Sequence, residues 1–167
     1  MSAHDTDRIL LCFDGSPGSR HAIEVAGKLL PGRSATVLHI WTPMSVTAFA
    51  YGAMMIPSVD ESDVQQAAMA VAEEGASLAN AAGLVATAEV AEGTFEGTWR
   101  AVVDAADAHG AALIVMGARG LSTFRSIVLG SVSHGVVQHA ARPVLVVPTP
   151  SRVEPPAGTA KQSGVIL

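Results

Sequence analysis

The 167-residue sequence has few aromatic residues, one cysteine and no long apolar run, and each shortage narrows the possible structures. Because aromatic residues make up only 4% of the chain, alanine, valine, leucine and isoleucine must supply most of the core. The lone cysteine, Cys12, excludes an internal disulfide. No apolar run approaches the roughly 20 residues that a transmembrane helix requires. The sequence therefore predicts one soluble domain built on aliphatic packing, for which an apolar fraction of 49% is sufficient.

Charge is also sparse, and the formal net charge is -5. The sequence has no run of lysine or arginine that would provide a basic face for nucleic acid or for an anionic membrane surface. Residues 1–7 are polar and lack the hydrophobic core of a secretion signal. We therefore expect a cytoplasmic protein that binds neither nucleic acid nor membranes.

The sequence does contain a regular alternation of short apolar runs with longer amphipathic segments. The apolar runs predict strands over residues 8–14, 35–41, 85–91, 112–116 and 143–147. The amphipathic segments predict helices over residues 20–30, 62–82, 98–109 and 131–140. Alternating strands and helices favour a parallel sheet covered on both faces, and right-handed crossovers restrict it to a few arrangements. We therefore predict an α/β fold with a doubly wound five-stranded parallel sheet.

Two segments lie outside this alternation. Residues 42–60 form a connection that is long for a compact domain and too apolar for a disordered loop. We interpret this connection as a flap over a ligand or a partner surface. The segment from Pro148 onward is rich in proline and has little periodicity. We therefore predict a folded domain over residues 1–148 and a flexible C-terminal tail over residues 149–167.

Two predicted strand ends carry glycine beside residues that can contact a ligand. The first strand ends in Asp14 and Gly15, and the fourth ends in Met116 and Gly117. Doubly wound sheets bind ligands at the carboxyl ends of their strands, where the strand order reverses. These two strand ends are therefore the candidate site.

The tract after the fourth strand has the features of a phosphate-binding loop. Gly117 and Gly120 are expected to adopt positive φ and to let the backbone approach a ligand. Gly130 leaves room where the chain enters the last helix, and Ser131 is predicted to be the N-cap of that helix. The free N–H groups of the first turn and the helix dipole favour a phosphate, and Arg119 adds positive charge.

The same tract also fits an ordinary connection with turn glycines and a capping serine. It lacks the Gly-Lys-Ser/Thr sequence of a Walker A loop, and the first turn lacks the G-x-G-x-x-G pattern of dinucleotide-binding folds. From the residues alone, an anion site and a plain connection both stay open. Cys12 has two interpretations as well, because it fits either a small buried apolar side chain or a reactive thiol near a ligand.

The complete spacing G-x2-G-x9-G-S from Gly117, between the sequences LIVM and PVLVV, resembles the ATP-binding subgroup of the universal stress protein family. The turn Asp14-Gly15-Ser16 after the first strand matches this family too, and the resemblance covers about residues 8–147. The resemblance implies a sheet of order 3-2-1-4-5. In that order the ends of the first and fourth strands lie side by side, which suits the two candidate strand ends.

The resemblance also implies which residues hold ATP. Asp14 is expected on the ribose or adenine side, with Cys12 and Ile40 lining the adenine. The residues expected to wrap the ribose and phosphates are Met116, Gly117, Arg119 and Gly120. The residues expected to hold the phosphates through backbone N–H and hydroxyl groups are Gly130, Ser131, Val132 and Ser133. A Mg²⁺ ion would be bound mainly through the phosphates.

The histidines are weaker candidates for a site. His39 lies in a predicted strand and is interpreted as structural. His134 and His139 are five positions apart on a predicted helix, so they do not share a face as zinc ligands would. No catalytic residue is predicted, because residues 117–130 contain no Asp, Glu or His that could serve as a general base.

The last predicted strand is short and apolar, and it is expected at a sheet edge, which invites pairing with another chain. The resemblance implies a homodimer through the segment Val144–Val147 of this strand. We therefore expect an ATP-binding homodimer that acts in regulation or in a stress response. Two alternatives stay open. One is a slow ATP hydrolase or phosphate-transfer enzyme, and the other is a scaffold that binds another nucleotide such as cyclic AMP.

Overall fold

The computed structural model describes residues 7–43, 60–94, 96–120 and 129–149. Strands and helices alternate along these residues. The strands are β1 (Ile9–Cys12), β2 (Ser34–Trp41), β3 (Val85–Glu92), β4 (Leu113–Gly117) and β5 (Val144–Val147). The helices are α1 (Pro17–Leu29), α2 (Glu61–Ala81), α3 (Thr98–Ala108) and α4 (Ser131–His139).

All five strands are parallel and form one sheet in the order β3-β2-β1-β4-β5. The strand β1 lies at the centre, where Leu10 pairs with Thr36 of β2 on one side and with Ile114 of β4 on the other. The predicted fold class and strand order are therefore confirmed. Because the strand order reverses between β1 and β4, the carboxyl ends of these two strands flank the position where such folds bind ligands.

Helices cover both faces of the sheet, and β1 supplies side chains to each of the two cores. Leu11 and Val115 lie in the core under α1 and α2, whereas Leu10, Leu38 and Ile114 lie in the core under α3 and α4. Each of these side chains is at most 1% exposed. Burial of a side chain of this size contributes about 1.5–3 kcal/mol to folding. A strand that is buried on both faces in this way has a continuous apolar sequence, as the pattern indicated.

Helix α1 begins three residues earlier than the sequence pattern predicts. Ser16 is its N-cap, and Ser16 Oγ accepts a hydrogen bond from Ser19 N–H (3.2 Å). Pro17 occupies the first helical position, where its fixed φ and its missing N–H are tolerated. The connection between the first strand and the first helix is therefore shorter than predicted at its helical end, and all other helix and strand boundaries lie within two residues of the prediction.

A side chain makes hydrogen bonds with part of the open edge of strand β3. Asn80 Nδ2 donates to the Ala86 carbonyl oxygen (3.1 Å), and Asn80 Oδ1 accepts from Ala86 N–H (2.9 Å). The polar groups that Ala86 directs away from β2 are therefore occupied within the same chain. An edge strand with occupied polar groups is a poorer template for another strand.

The predicted flap lies mostly outside the described residues, which do not include 44–59, and so does the predicted tail beyond Thr149. The division into a domain over residues 1–148 and a tail over residues 149–167 stays a prediction. Within the described ranges, no helix is both long and apolar enough to cross a membrane.

Candidate functional site

A cleft of about 250 Å³ opens at the carboxyl ends of β1, β2 and β4 and extends to the first turn of α4. Every candidate residue from the sequence lines this cleft, namely Cys12, Asp14, Ile40, Met116, Gly117, Arg119, Gly120, Gly130, Ser131, Val132 and Ser133. The fold thus brings together residues that are far apart in the sequence. Their contacts with a ligand stay a prediction.

The turn between β1 and α1 holds Asp14 at the cleft. Asp14 Oδ1 accepts a hydrogen bond from Ser16 N–H (3.0 Å), and Asp14 N–H donates to Ser19 Oγ (3.5 Å). The first of these bonds makes an Asx turn, in which a carboxylate replaces a backbone carbonyl as the acceptor. Gly15 provides a positive φ of 77° within this turn. One carboxylate oxygen is therefore used by the turn, whereas the other, Oδ2, lies against the loop after β4.

Gly117 and Gly120 permit close contacts, and they do not adopt the predicted left-handed backbone. The prediction of positive φ at both positions is wrong, since the described glycines with positive φ are Gly15, Gly32, Gly83, Gly97 and Gly110. A Cβ atom on Gly117 would lie 2.9 Å from the carbonyl carbon of Gly18, and a Cβ atom on Gly120 would collide with Asp14 Oδ2. The missing side chain of Gly117 therefore lets the end of β4 pack against the first turn of α1, and that of Gly120 lets the loop after β4 approach Asp14.

Gly130 is the N-cap of α4, and the prediction that Ser131 caps this helix is wrong. The chain is still extended at Gly130 (φ -69°, ψ 163°) and is already helical at Ser131, and no side chain caps the helix. Ser133 is 2% exposed, and its hydroxyl lies within donating distance of the carbonyl oxygens of Ala118 (2.8 Å) and Gly130 (3.1 Å). This hydroxyl fastens the first turn of α4 to the loop after β4 and leaves the helix N-terminus uncapped.

The first turn of α4 and Arg119 form the positive end of the cleft. His134 N–H donates to Gly130 O (2.9 Å), so the N–H groups of the three preceding residues lie at the open start of the helix. Ser131 and Val132 from this open turn line the cleft together with Arg119. None of the ion pairs between described residues includes Arg119. Open N–H groups, a helix dipole and a guanidinium together favour an anion.

The end of the cleft at β2 and α3 is apolar and includes Ile40 and Val102. Burial, and to a lesser extent the negative charge of Asp14, raises the pKa of the Cys12 thiol to about 12. The thiol therefore stays protonated at neutral pH, and a protonated thiol is a poor nucleophile. Of the two interpretations of Cys12, the geometry supports the small apolar side chain.

The cleft is also lined by six residues that the sequence pattern does not indicate, namely Phe13, Ser19, Leu38, His39, Thr98 and Val102. Thr98 and Val102 come from α3, which packs beside α4, and no sequence motif connects them with the tract after β4. His39 Nδ1 donates to Phe13 O (2.8 Å), which agrees with its structural interpretation, although His39 also lines the cleft. Its position beside Ile40 near the end of β2 is the sequence feature that could have identified it.

Comparison with known proteins identifies relatives of similar length. The model of the universal stress protein family matches residues 6–148. The universal stress protein YxiE of Bacillus subtilis (strain 168) is 30% identical over 148 residues, which cover 84% of this chain and 98% of the relative. The match therefore spans nearly the whole length of that relative.

Three solved structures share the fold. A universal stress protein from Archaeoglobus fulgidus has a TM-score of 0.64 at 21% identity, with 84% of this chain and 98% of that chain covered. A universal stress protein in complex with cAMP has a TM-score of 0.60 at 23% identity, with 86% and 98% covered. An Arabidopsis thaliana member of the family with AMP bound has a TM-score of 0.60 at 15% identity, with 90% and 97% covered. These structures support the fold, and with the family model and the Bacillus relative they lead to one conclusion: this chain belongs to the universal stress protein family.

Proposed function

We propose that this protein binds ATP in the cleft and acts as a regulatory nucleotide-binding homodimer. The observation that carries the proposal is the chemistry of the cleft's two ends. One end combines an uncapped helix N-terminus with the guanidinium of Arg119, and the other end is apolar. A carboxylate, that of Asp14, lies at the same cleft. An anion-binding end, an apolar end and an acceptor suit the phosphates, the base and the ribose of a nucleotide.

Each group of cleft residues has a proposed task. Asp14 accepts hydrogen bonds from ribose hydroxyl groups, and Cys12 and Ile40 line the adenine. The residues proposed to surround the ribose and phosphates are Met116, Gly117, Arg119 and Gly120. The residues proposed to hold the phosphates are Gly130, Ser131, Val132 and Ser133. Because the Ser133 hydroxyl proton is already donated to backbone carbonyls, Ser133 would serve through its backbone N–H.

Two structural neighbours support an adenine nucleotide, since one is in complex with cAMP and the other has AMP bound. Among the possible adenine nucleotides we favour ATP, because Arg119 and the start of α4 provide two separate positive groups for several phosphates. Cyclic AMP is the second candidate. The described residues include no group of three His, Cys, Asp or Glu side chains that could hold a metal ion. A Mg²⁺ ion is proposed to be held mainly by the nucleotide phosphates, which is the usual way that proteins bind this ion with a nucleotide.

The described part of the cleft contains little that could activate a water molecule. Its carboxylate and imidazole groups belong to Asp14 and His39. Asp14 Oδ1 accepts a hydrogen bond in the Asx turn, and His39 Nδ1–H donates one to Phe13 O. Both residues lie at the ends of β1 and β2, whereas the phosphates are assigned to the loop after β4 and to α4. Since a general base must reach the attacking water, we propose that bound ATP is retained or is hydrolysed slowly.

The proposed dimer forms through the edge strand β5. The carbonyl groups of Pro143 and Val147 face β4, because they accept hydrogen bonds from N–H groups of the neighbouring strand and the loop after it (3.0 and 2.8 Å). Backbone groups of successive residues alternate in direction, so Val144 and Val146 direct theirs to the open edge. The opposite edge is occupied at Ala86 by Asn80. Because part of the β3 edge is occupied in this way, we assign the dimer to β5.

A proline on β5 tests the dimer directly. Val146→Pro removes an outward N–H and leaves the hydrogen bonds to β4 in place, so it is expected to weaken the dimer. Val146→Ala is the matched control, because it shortens the side chain and keeps the N–H. Sedimentation velocity at micromolar concentration measures the mass of each variant. A wild-type protein that is entirely monomeric under these conditions would reject the dimer.

Nucleotide titration separates the candidate functions. Purified protein is freed of bound nucleotide and titrated with ATP, GTP and cyclic AMP, while phosphate release is followed in parallel. Saturable ATP binding with background phosphate release supports the proposal. Tighter binding of cyclic AMP than of ATP favours the second candidate, and steady ATP-dependent phosphate release favours a hydrolase. Failure of a folded protein to bind any of the three nucleotides rejects the proposal.

A further inference from the structure

The peptide group between Phe13 and Asp14 is the first one beyond the strand ladders of β1. The pairing of β1 ends at Leu11 on the β4 side and at Cys12 on the β2 side. Phe13 N–H makes a last backbone hydrogen bond to Leu38 O (2.9 Å). The carbonyl of Phe13 and the N–H of Asp14 are bonded to no backbone group of the described sheet, so side chains must hold them.

Two side chains hold this peptide group. His39 Nδ1 lies 2.8 Å from Phe13 O, and because a carbonyl oxygen only accepts, Nδ1 carries the proton and donates it. On the other side of the peptide, Asp14 N–H donates to Ser19 Oγ over a longer distance of 3.5 Å. The Ser19 side chain is buried and donates its own proton to Ser16 O (3.0 Å). The shorter bond from His39 is therefore the stronger restraint.

The orientation of this peptide determines where the Asp14 carboxylate lies. Asp14 Oδ1 accepts a hydrogen bond from Ser16 N–H, and Asp14 Oδ2 is so close to Gly120 that a Cβ atom on Gly120 would overlap it. The carboxylate therefore has little room to move. A rotation of the Phe13–Asp14 peptide would drive the carboxylate into Gly120 or out of the cleft. We propose that His39 is a positioning residue that holds the Asp14 carboxylate in place for the nucleotide. The role rests on the proposed function, because the position of Asp14 matters for affinity only if Asp14 contacts a nucleotide.

A matched pair of variants tests the hydrogen bond from His39. In His39→Asn the side-chain N–H group is bonded to Cγ, as Nδ1 is in histidine, so a donor is kept at the same place. In His39→Leu a methyl group takes that place and no donor remains. ATP affinity is measured for both variants in the wild-type and Asp14→Ala backgrounds. His39→Leu is expected to weaken ATP binding about tenfold, since a hydrogen bond to a charged acceptor is no longer held in place. His39→Asn is expected to stay within about threefold of wild type.

The Asp14→Ala background distinguishes positioning from a general structural role. If His39 acts through Asp14, His39→Leu causes no further loss once the carboxylate is gone. An equal loss in both backgrounds would overturn the proposal, and so would an equal loss in both His39 variants. Thermal unfolding establishes that each variant is folded. Should His39→Leu not fold, about a tenfold loss of affinity in His39→Asn alone would overturn the proposal.

Amide hydrogen exchange in the ligand-free protein separates the role of His39 from the proposed function. The Asp14 N–H is expected to exchange about tenfold faster in His39→Leu than in wild type, and at the wild-type rate in His39→Asn. If the wild-type protein binds no ATP, the proposed function has failed and the exchange rates decide the role of His39. An unchanged rate in His39→Leu would then overturn it, whereas a faster rate would show that His39 holds the peptide without a nucleotide.

Discussion

Replacement of Gly120 by alanine tests the contact that joins the two halves of the cleft. Gly120 belongs to the loop after β4, and Asp14 belongs to the turn after β1. A Cβ atom on Gly120 would overlap Asp14 Oδ2, and real Cβ atoms essentially never lie within 3.0 Å of such a neighbour. Either the carboxylate rotates away from its place or the loop moves. In both cases Asp14 no longer faces the nucleotide as proposed.

The size of the effect follows from the interaction that is lost. A hydrogen bond that involves a charged group contributes about 1.5–3 kcal/mol. A buried donor or acceptor that is left without its hydrogen bond costs a similar amount. The dissociation constant for ATP is therefore expected to rise about 10- to 150-fold in Gly120→Ala. Gly120 is exposed and has no positive φ, so the cost to folding is limited to the displaced contact, and the free energy of unfolding is expected to fall by about 1 kcal/mol.

Isothermal titration calorimetry with ATP measures this loss, and urea denaturation measures stability in parallel. The matched control is the same alanine in the Asp14→Ala background, where no carboxylate remains to be displaced and no further loss is expected. An ATP affinity of Gly120→Ala within about twofold of wild type would show that the contact between Gly120 and Asp14 does not matter for ATP binding. A full loss in the Asp14→Ala background would show that the effect does not pass through Asp14.

Three further predictions concern charge, the sheet edge and the thiol. Arg119→Ala is expected to weaken ATP binding about tenfold, whereas Arg100→Ala, with the same charge change on the exposed side of α3, should leave the affinity unchanged by titration. Asn80→Leu removes both hydrogen bonds to Ala86 and is expected to lower the free energy of unfolding by about 1 kcal/mol, and an unchanged urea midpoint would contradict this expectation. Because the pKa of the Cys12 thiol is raised to about 12, the thiol stays largely protonated at neutral pH, so maleimide is expected to label the folded protein more slowly than the unfolded protein, and equal labelling rates would contradict this expectation.

The fold could be predicted because each strand and helix has a recognisable pattern within its own short stretch of sequence. Each strand is a short apolar run, and Leu10 and Leu11 show why, since they face opposite cores and both need an apolar side chain. The start of α1 was harder, because the proline and glycine after Ser16 also suit a turn. Pro17 is compatible with the first position of a helix, and Ser16 is an equally good cap and turn residue. Local preference alone does not distinguish these two possibilities.

The candidate site could be predicted as a set of residues but not as an arrangement. The strand ends and the glycine tract indicate a cleft, and the structure places all of those residues around it. The sequence does not show why Gly120 is glycine, because the reason is the carboxylate of Asp14, which is distant in the sequence. It also does not decide between Gly130 and Ser131 as the cap of α4, since both residue types are accepted there. The hydrogen bond from His39 likewise depends on the pairing of β1 with β2.

Direct titration of the nucleotide-free protein with ATP tests whether the cleft holds this nucleotide. The predicted result is saturable binding of about one ATP per chain, as expected for one cleft with one uncapped helix N-terminus. Phosphate should remain on the nucleotide during the measurement. A folded protein that shows no saturable binding at millimolar ATP would contradict the proposal that the cleft binds this nucleotide.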